Sequence, residues 1–343
     1  MPAGLAPPPG PADQRAEEER SAGSPARAGL RGIVLPALVA VLVGCVFLVV
    51  QLSIATTATP RDLPVGVVGT AEQVGRVRAE LAATQPGALR LVELPDADAA
   101  EEAVRRDEVR GALVLDGPAP GLLTAGAHGS GVTETLTAAF APTAQRAGQQ
   151  LAVTDVVPLA AQDGRGRALD HLGFAVVLGG FLFGITSYQV APNLSLRLRL
   201  ASSVLFAVAA GATGAVIGAV AFGAVPGSAV VVGGLVALLA LASGAVAALC
   251  LRLLGGVGTF VATAVLLILG AATGTGSDPA EYLPAWAAPL SDVLPPGVAV
   301  QALRDAVYFA GDGVPRAVGV LVLWSVLPFG AIALVDARAR RRG

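Results

Sequence analysis

Ile33–Ile54 reads IVLPALVAVLVGCVFLVVQLSI, 22 residues without a charged side chain, directly preceded by Arg27 and Arg31. At about 1.5 Å of rise per helical residue, such a run is long enough to cross the roughly 30 Å hydrocarbon core of a bilayer. It is longer than the roughly 7–15 apolar residues of a cleaved signal peptide, so it reads as an uncleaved signal anchor occupying residues 31–55. Ahead of it, residues 1–30 are rich in Pro, Ala and Gly, with an acidic run at Glu17–Glu19. That composition cannot bury enough apolar surface to order itself and predicts a disordered tail.

Five further apolar runs follow, at about 172–191, 201–224, 228–251, 257–275 and 316–335. With the first they predict a polytopic α-helical membrane protein of about six transmembrane helices, both termini on one side. The side follows from arginine placement, because short cytoplasmic loops retain Lys and Arg. Arg27 and Arg31, Arg197 and Arg199, Arg252, and Arg338, Arg340, Arg341 and Arg342 all fall on one face of this topology. Both termini, including the basic tail 337–343, are therefore expected in the cytoplasm, with the chain multi-pass in a bacterial plasma membrane.

Residues 60–170 fall on the other face, and long translocated segments escape the arginine rule. Here the hydrophobic period alternates between strand-like and helix-like. Pro64–Val68, Leu89–Leu94, Gly111–Leu115, Leu122–Ala125 and Val153–Val157 read as strands, and 71–83, 97–107 and 132–150 as helices. An inserted extracytoplasmic α/β domain is expected. Residues 171–336 form the five-helix bundle. It is interrupted at 278–312 by a segment with Pro279, Pro284, Pro289, Pro295 and Pro296, too dense in proline for a straight spanning helix. That stretch reads as interfacial or re-entrant.

Composition restricts function. The 343 residues are 54% hydrophobic and 14% charged, with a formal net charge of -2 and no lysine. No basic face exists to neutralise phosphates, so no nucleic-acid partner is expected. Without lysine there is no P-loop ATPase and no Schiff base. Cys45 and Cys250 lie in apolar runs and read as small hydrophobic residues, so no metal or cofactor is expected. The only histidines are His128 and His171; neither has a nucleophile at a triad spacing, and no catalytic residue is assigned. No ionisable residue lies in the centre of the five later runs, which argues against ion-coupled transport.

Three sets of residues are candidates for function. Arg197 and Arg199 occupy a short cytoplasmic loop, suited to anchoring topology or docking a partner. Pro295, Pro296, Gly297, Arg304 and Tyr308 lie in the proline-rich segment, where they would form an outer gate or interfacial element. Gly180 and Gly184, like Gly214 and Gly218, stand four apart, a spacing that lets helices approach closely.

Three stretches resemble type-2 ABC exporter permeases, near the phage-infection-protein (YhgE/Pip-like) group. They are Leu63-Pro-Val-Gly-Val-Val-Gly69; Asp98-Ala-Ala-Glu-Glu-Ala-Val104 with Val109-Arg-Gly-Ala-Leu-Val-Leu115; and Leu294-Pro-Pro-Gly-Val-Ala-Val-Gln-Ala-Leu-Arg304 with Tyr308-Phe309-Ala-Gly311. The resemblance implies a permease that forms homodimers or heterodimers. It also implies a separate ATP-binding-cassette subunit docking near Arg197 and Arg199, and export of a small apolar or amphipathic substrate. The external domain is smaller than in the phage-infection group. The other expectation from the same likeness is a membrane-anchored envelope or binding protein that does not transport.

Overall fold

The computed structural model describes residues 25–56, 59–117, 119–146, 148–274 and 279–341. Most of the expected disordered tail lies outside them. The first helix, α1 (Pro25–Ala55), begins inside that tail, with proline at the first-turn position where its missing N–H costs nothing. From Ile33 to Ile54 it carries no charged side chain and is apolar around its whole circumference, the pattern of a helix surrounded by lipid or by other helices.

A mixed five-stranded sheet follows among the described residues, with strand order β2-β1-β3-β4-β5. Strands β1 (Leu63–Val68), β2 (Leu89–Glu93) and β3 (Gly111–Val114) run parallel, through helical crossovers α2 (Ala71–Thr84) and α3 (Ala97–Arg105). Strand β4 (Gly121–Thr124) returns antiparallel to β3. After α4 (Ser130–Arg146), β5 (Ala152–Asp155) lies parallel to β4. Local chemistry starts the helices. Thr70 and Gln73 form a reciprocal capping box, and Asp96 Oδ1 accepts from Ala99 N at 2.8 Å.

Strand alternation divides the domain core between two faces. Leu63, Val65, Leu113 and Leu122 pack on Val77 and Leu81 of α2 and on Leu136 and Phe140 of α4. On the other face, Val68, Ala112 and Ala125 meet Ala100, Ala103 and Val104 of α3, and the cover is extended by Tyr308 and Phe309 from far along the chain.

The bundle is organised on α7 (Ala229–Leu254). Its buried residues, among them Leu235, Val236, Leu239 and Ala240, share one core with α5 (Ala168–Val190) and α11 (Val314–Arg340). Helix α6 (Leu196–Ala215) runs on as a π-helical turn over Val216–Ala221. At the end remote from the sheet, Arg252 Nε bonds Asp336 Oδ1 at 2.8 Å and ties α7 to α11.

Among the described residues, five helices are long and apolar enough to cross a membrane: those containing Ala37–Ile54, Ala168–Val190, Leu196–Ala221, Ala229–Leu254 and Val314–Arg340. The run expected at 257–275 forms a shorter apolar helix, α8 (Val257–Thr273), whose middle, Thr263–Leu269, is π-helical. The result is a largely helical, polytopic architecture with an inserted α/β domain.

Between α8 and α11 the described chain makes a single 3₁₀ turn at Ala280–Tyr282, then α9 (Ala288–Ser291) and α10 (Pro295–Tyr308). The N-terminal half of α10 packs inside the fold. Pro295, Pro296, Gly297, Val298 and Leu303 are all buried. Pro296 fits against Gly270 of α8, where an added Cβ would lie 2.6 Å from the proline ring.

Candidate functional site

Two features converge at the sheet-proximal end of the bundle: a charged clamp and an apolar groove. The clamp starts at Asp107, just past the end of α3, in the left-handed conformation with φ 62°. Glycine is commonest there, and aspartate is among the few other residues that tolerate it. Asp107 accepts a short ion-paired contact from Arg110. Arg110 reaches in turn to Glu281 of the proline-rich segment, with Nε 3.2 Å and Nη2 3.1 Å from Oε1.

His128, 1% exposed, places Nε2 3.0 Å from Asp107 Oδ1. Its ring stacks on Phe309, centroids 4.7 Å apart and planes at 23°. Tyr282 Oη donates to Thr135 Oγ1 at 2.8 Å, and the Arg61 N–H donates to the Glu281 carbonyl at 3.0 Å. From the bundle side, Trp324 Nε1 of α11 donates to the Val293 carbonyl at 2.7 Å. The segment before the last helix is thus fastened to the α/β domain and to the bundle at once.

Burial works to raise the Asp107 carboxyl, but contact with His128 and the Arg110 guanidinium outweighs it and holds the group at about 2. Burial pushes His128 below its ordinary value of 6.5; Asp107 pulls the other way, while Arg110 and Arg304 add to the depression. Both shifts favour the unprotonated form in the folded chain. Stability from the clamp is therefore full above 6.5, declines as the unfolded histidine takes up a proton below 6.5, and declines further as pH approaches about 2. Thermal unfolding of the purified protein across this range is expected to show a transition temperature falling steadily below about pH 6.5. His128→Gln should flatten the upper part of that dependence.

The groove, of about 1060 Å³, lies between α5 and α6 and opens at the residues that precede α5. Its α5 wall is a stripe at helical spacing: Ala168, His171, Leu172, Ala175, Val176 and Gly179. Its α6 wall is a second stripe, including Phe206, Ala210, Thr213, Gly214 and Ile217 and ending in the π-helical turn. Phe206 stacks on Phe183 with centroids 4.5 Å apart and the planes 3° from parallel, beside the deep wall residue Gly179. Arg165 and Arg167 border the mouth. Asp163, also there, turns its carboxylate to the start of α5, where Oδ1 accepts from Arg167 N at 2.9 Å and Oδ2 from Ala168 N at 3.0 Å.

The remaining candidates divide. Arg304 lies buried in α10, close enough to His128 to depress it, and Tyr308 packs on the sheet beside Phe309. Pro295, Pro296 and Gly297 fix α10; a Cβ on Gly297 would lie 2.6 Å from the Ser291 carbonyl. Gly180 and Gly184 face the backbone of α7. Their added Cβ atoms would stand 2.8 Å from the Ala240 carbonyl and 2.6 Å from the Gly244 carbonyl of α7. Gly214 faces Val236 across the α6–α7 contact at 3.0 Å. Gly218 departs from the expectation: it sits in the π-helical turn and meets Val225 of the following loop. The tightest α6–α7 approach is instead Gly211 on the Gly233 carbonyl, 2.4 Å for an added Cβ, a pair with no four-residue spacing to signal it.

Arg199 is 2% exposed; Nη1 donates to Ser187 Oγ at 2.8 Å, Nη2 to the Ala191 carbonyl at 2.9 Å, and its guanidinium lies over the Tyr188 ring. Its donors are engaged within the chain, which leaves Arg197 as the exposed cation of that loop. His128, Asp107 and Glu281 were not legible as a site, being separated by more than 150 residues of chain between Glu281 and either partner.

The chain matches no protein-family model, and neither a curated protein nor a solved structure is significantly similar to it.

Proposed function

We propose that this chain is the permease subunit of an exporter, moving a small amphipathic or apolar substrate with energy from a separate ATP-binding-cassette subunit. In this reading α8 is the sixth span. Both termini lie in the cytoplasm, the α/β domain lies outside the plasma membrane, and two permease chains, identical or related, pair. The observation that carries it is the groove between α5 and α6: a lipophilic path from one end of the bundle to its middle, bordered by a π-helical turn, a feature common at functional sites. Helix centres without ionisable residues leave no ion-coupling group, so the driving energy is external. The clamp gives the α/β domain a rigid hold on the segment leading into α11, through which a change in one would be felt by the other.

Gentle-detergent purification of the tagged chain tests this. An ATP-binding-cassette subunit is expected in stoichiometric amount, with hydrolysis dependent on this chain, and Arg197→Glu is expected to weaken the association. Reproducible absence of such a subunit would sink the permease reading. It would favour the second one, an anchored envelope protein whose fastened α/β domain binds a partner. Orientation is checked separately. With Cys45→Ser and Cys250→Ala as background, Ala82→Cys on the exposed face of α2 should react with an impermeant maleimide in intact cells.

A further inference from the structure

We infer that the groove between α5 and α6 is a binding site for an acidic membrane amphiphile, acyl portion in the slot and anionic headgroup at Arg165 and Arg167. The inference rests on the orientation in the permease reading and adds a substrate class to it. Depth is the first argument. From Ala168 to Gly179 the α5 stripe rises about 17 Å, close to one leaflet of a hydrocarbon core of about 30 Å. A molecule lying in the slot with its head at the mouth is therefore aligned as a lipid is in the leaflet beside it.

The chemistry of the two ends is the second. Below His171, near the mouth, the slot is walled by Leu172, Val176, Phe206 and Ile217, with the hydroxyl of Thr213 among them, a lining suited to an acyl chain. The mouth offers two arginines, exposed and without an ion pair among the described residues. The nearby carboxylate of Asp163 offsets part of their charge, but its oxygens accept from the backbone N–H groups of Arg167 and Ala168 and it forms no ion pair with either guanidinium among the described residues, so the mouth keeps a net positive charge from the three groups. Asp170, one turn of chain away, lies off the wall stripe. Guanidinium groups pair bidentately with phosphate and carboxylate, so the mouth selects an anionic head over a zwitterionic one.

Room to admit and release such a molecule comes from small residues. Ala175 and Ala210 keep both walls low, and a Cβ on Gly179 would make only ordinary contact, 3.7 Å, with Phe206.

The test uses the full-length protein in phosphatidylcholine nanodiscs, with a trace of phosphatidylglycerol carrying a diazirine on its acyl chain. After photolysis, mass spectrometry should find adducts on peptides covering residues 168–190 and 196–221. They should exceed those from the matching phosphatidylcholine probe by about tenfold, the scale of one charge-assisted contact. Arg165→Gln with Arg167→Gln should bring the two probes level, and Ala175→Phe with Ala209→Phe should remove both. Should a variant fail to fold, competition of wild-type labelling by unlabelled phosphatidylglycerol but not phosphatidylcholine is the equivalent readout.

Equal labelling by both probes, or labelling indifferent to the arginines and to the plug, would mean annular lipid and would overturn the assignment. Crosslinks from the groove to α1 or to a second copy of the chain, in place of lipid adducts, would overturn it too. Selective labelling in a protein with no associated ATPase would leave this site standing and remove the permease reading; an active ATPase complex with unselective labelling would do the reverse.

Discussion

Replacing Arg110 with alanine is expected to cost about 3–5 kcal/mol, the scale of removing one partner from a buried ion pair. The argument turns on what is left behind. Asp107 would remain in a left-handed backbone position beside His128, and Glu281 would remain on the opposing segment, two carboxylates facing a site without its cation. The side chains of Arg110 and Glu281 are each 18% exposed and that of Asp107 29%, so water can replace the guanidinium only in part. The loss should fall on the docking of the domain as well as on its fold. Thermal unfolding in detergent should shift down markedly, and limited proteolysis should cut between residues 279 and 294 at protease levels that leave this stretch of the wild type intact. Arg110→Lys should recover only part of the loss, since an ammonium cannot reproduce the guanidinium contacts to Asp107 and Glu281 together. If Arg110→Ala melts and digests like wild type, the clamp carries no stability and the coupling argued from it fails.

Gly184→Leu should be comparably damaging, for a steric reason. At this position α5 and α7 touch backbone to backbone. The first added carbon alone would lie 2.6 Å from both the Ala247 Cβ and the Gly244 carbonyl, and 3.2 Å from the Ala248 N. None of these is the flexible end of a side chain, so the helices must separate. Overpacking of this kind costs about 1–3 kcal/mol in ordinary cores, and a whole helix-length contact is at stake here. The expected result is a poorly folded, aggregation-prone protein by size-exclusion chromatography. Gly234→Leu, on the same hub helix α7 but with open space around its added Cβ, serves as the tolerant control. Equal behaviour of the two variants would remove the case for close packing at Gly184.

The parts of this fold that could be read from the sequence are those written in contiguous residues. Apolar runs such as Ala229–Leu254 announce themselves because about 20 residues are needed to cross hydrocarbon. The α/β domain shows through because strand and helix periods alternate there, and Thr70 and Asp96 mark helix starts. The clamp was hidden because Arg110 and Glu281 lie 171 residues apart, and because single acids and bases in a charged domain carry no sign of their partners. The groove was hidden for a different reason. On a helix apolar all round, the stripe from Ala168 to Gly179 does not differ in composition from the faces beside it. The π-helical turn at Val216–Ala221 has no residue signature at all. Arg199 was legible as a cation but not as an internal one, since its hydrogen bonds go to backbone carbonyls and a serine of the preceding helix end.

The sheet face completed by Phe309 sets an order of events during synthesis. Strand β3 and His128 leave the ribosome well before Glu281, Tyr308 and Phe309 exist, so the α/β domain must wait, with part of one face uncovered and Arg110 without Glu281, until nearly the whole chain is made. Closing contacts so far apart in sequence is slow, and uncovered apolar surface invites aggregation meanwhile. A segment in the final fifth of the sequence therefore acts as a seal on its first half, and chains truncated before Glu281 are expected to be recognised as unfinished and degraded.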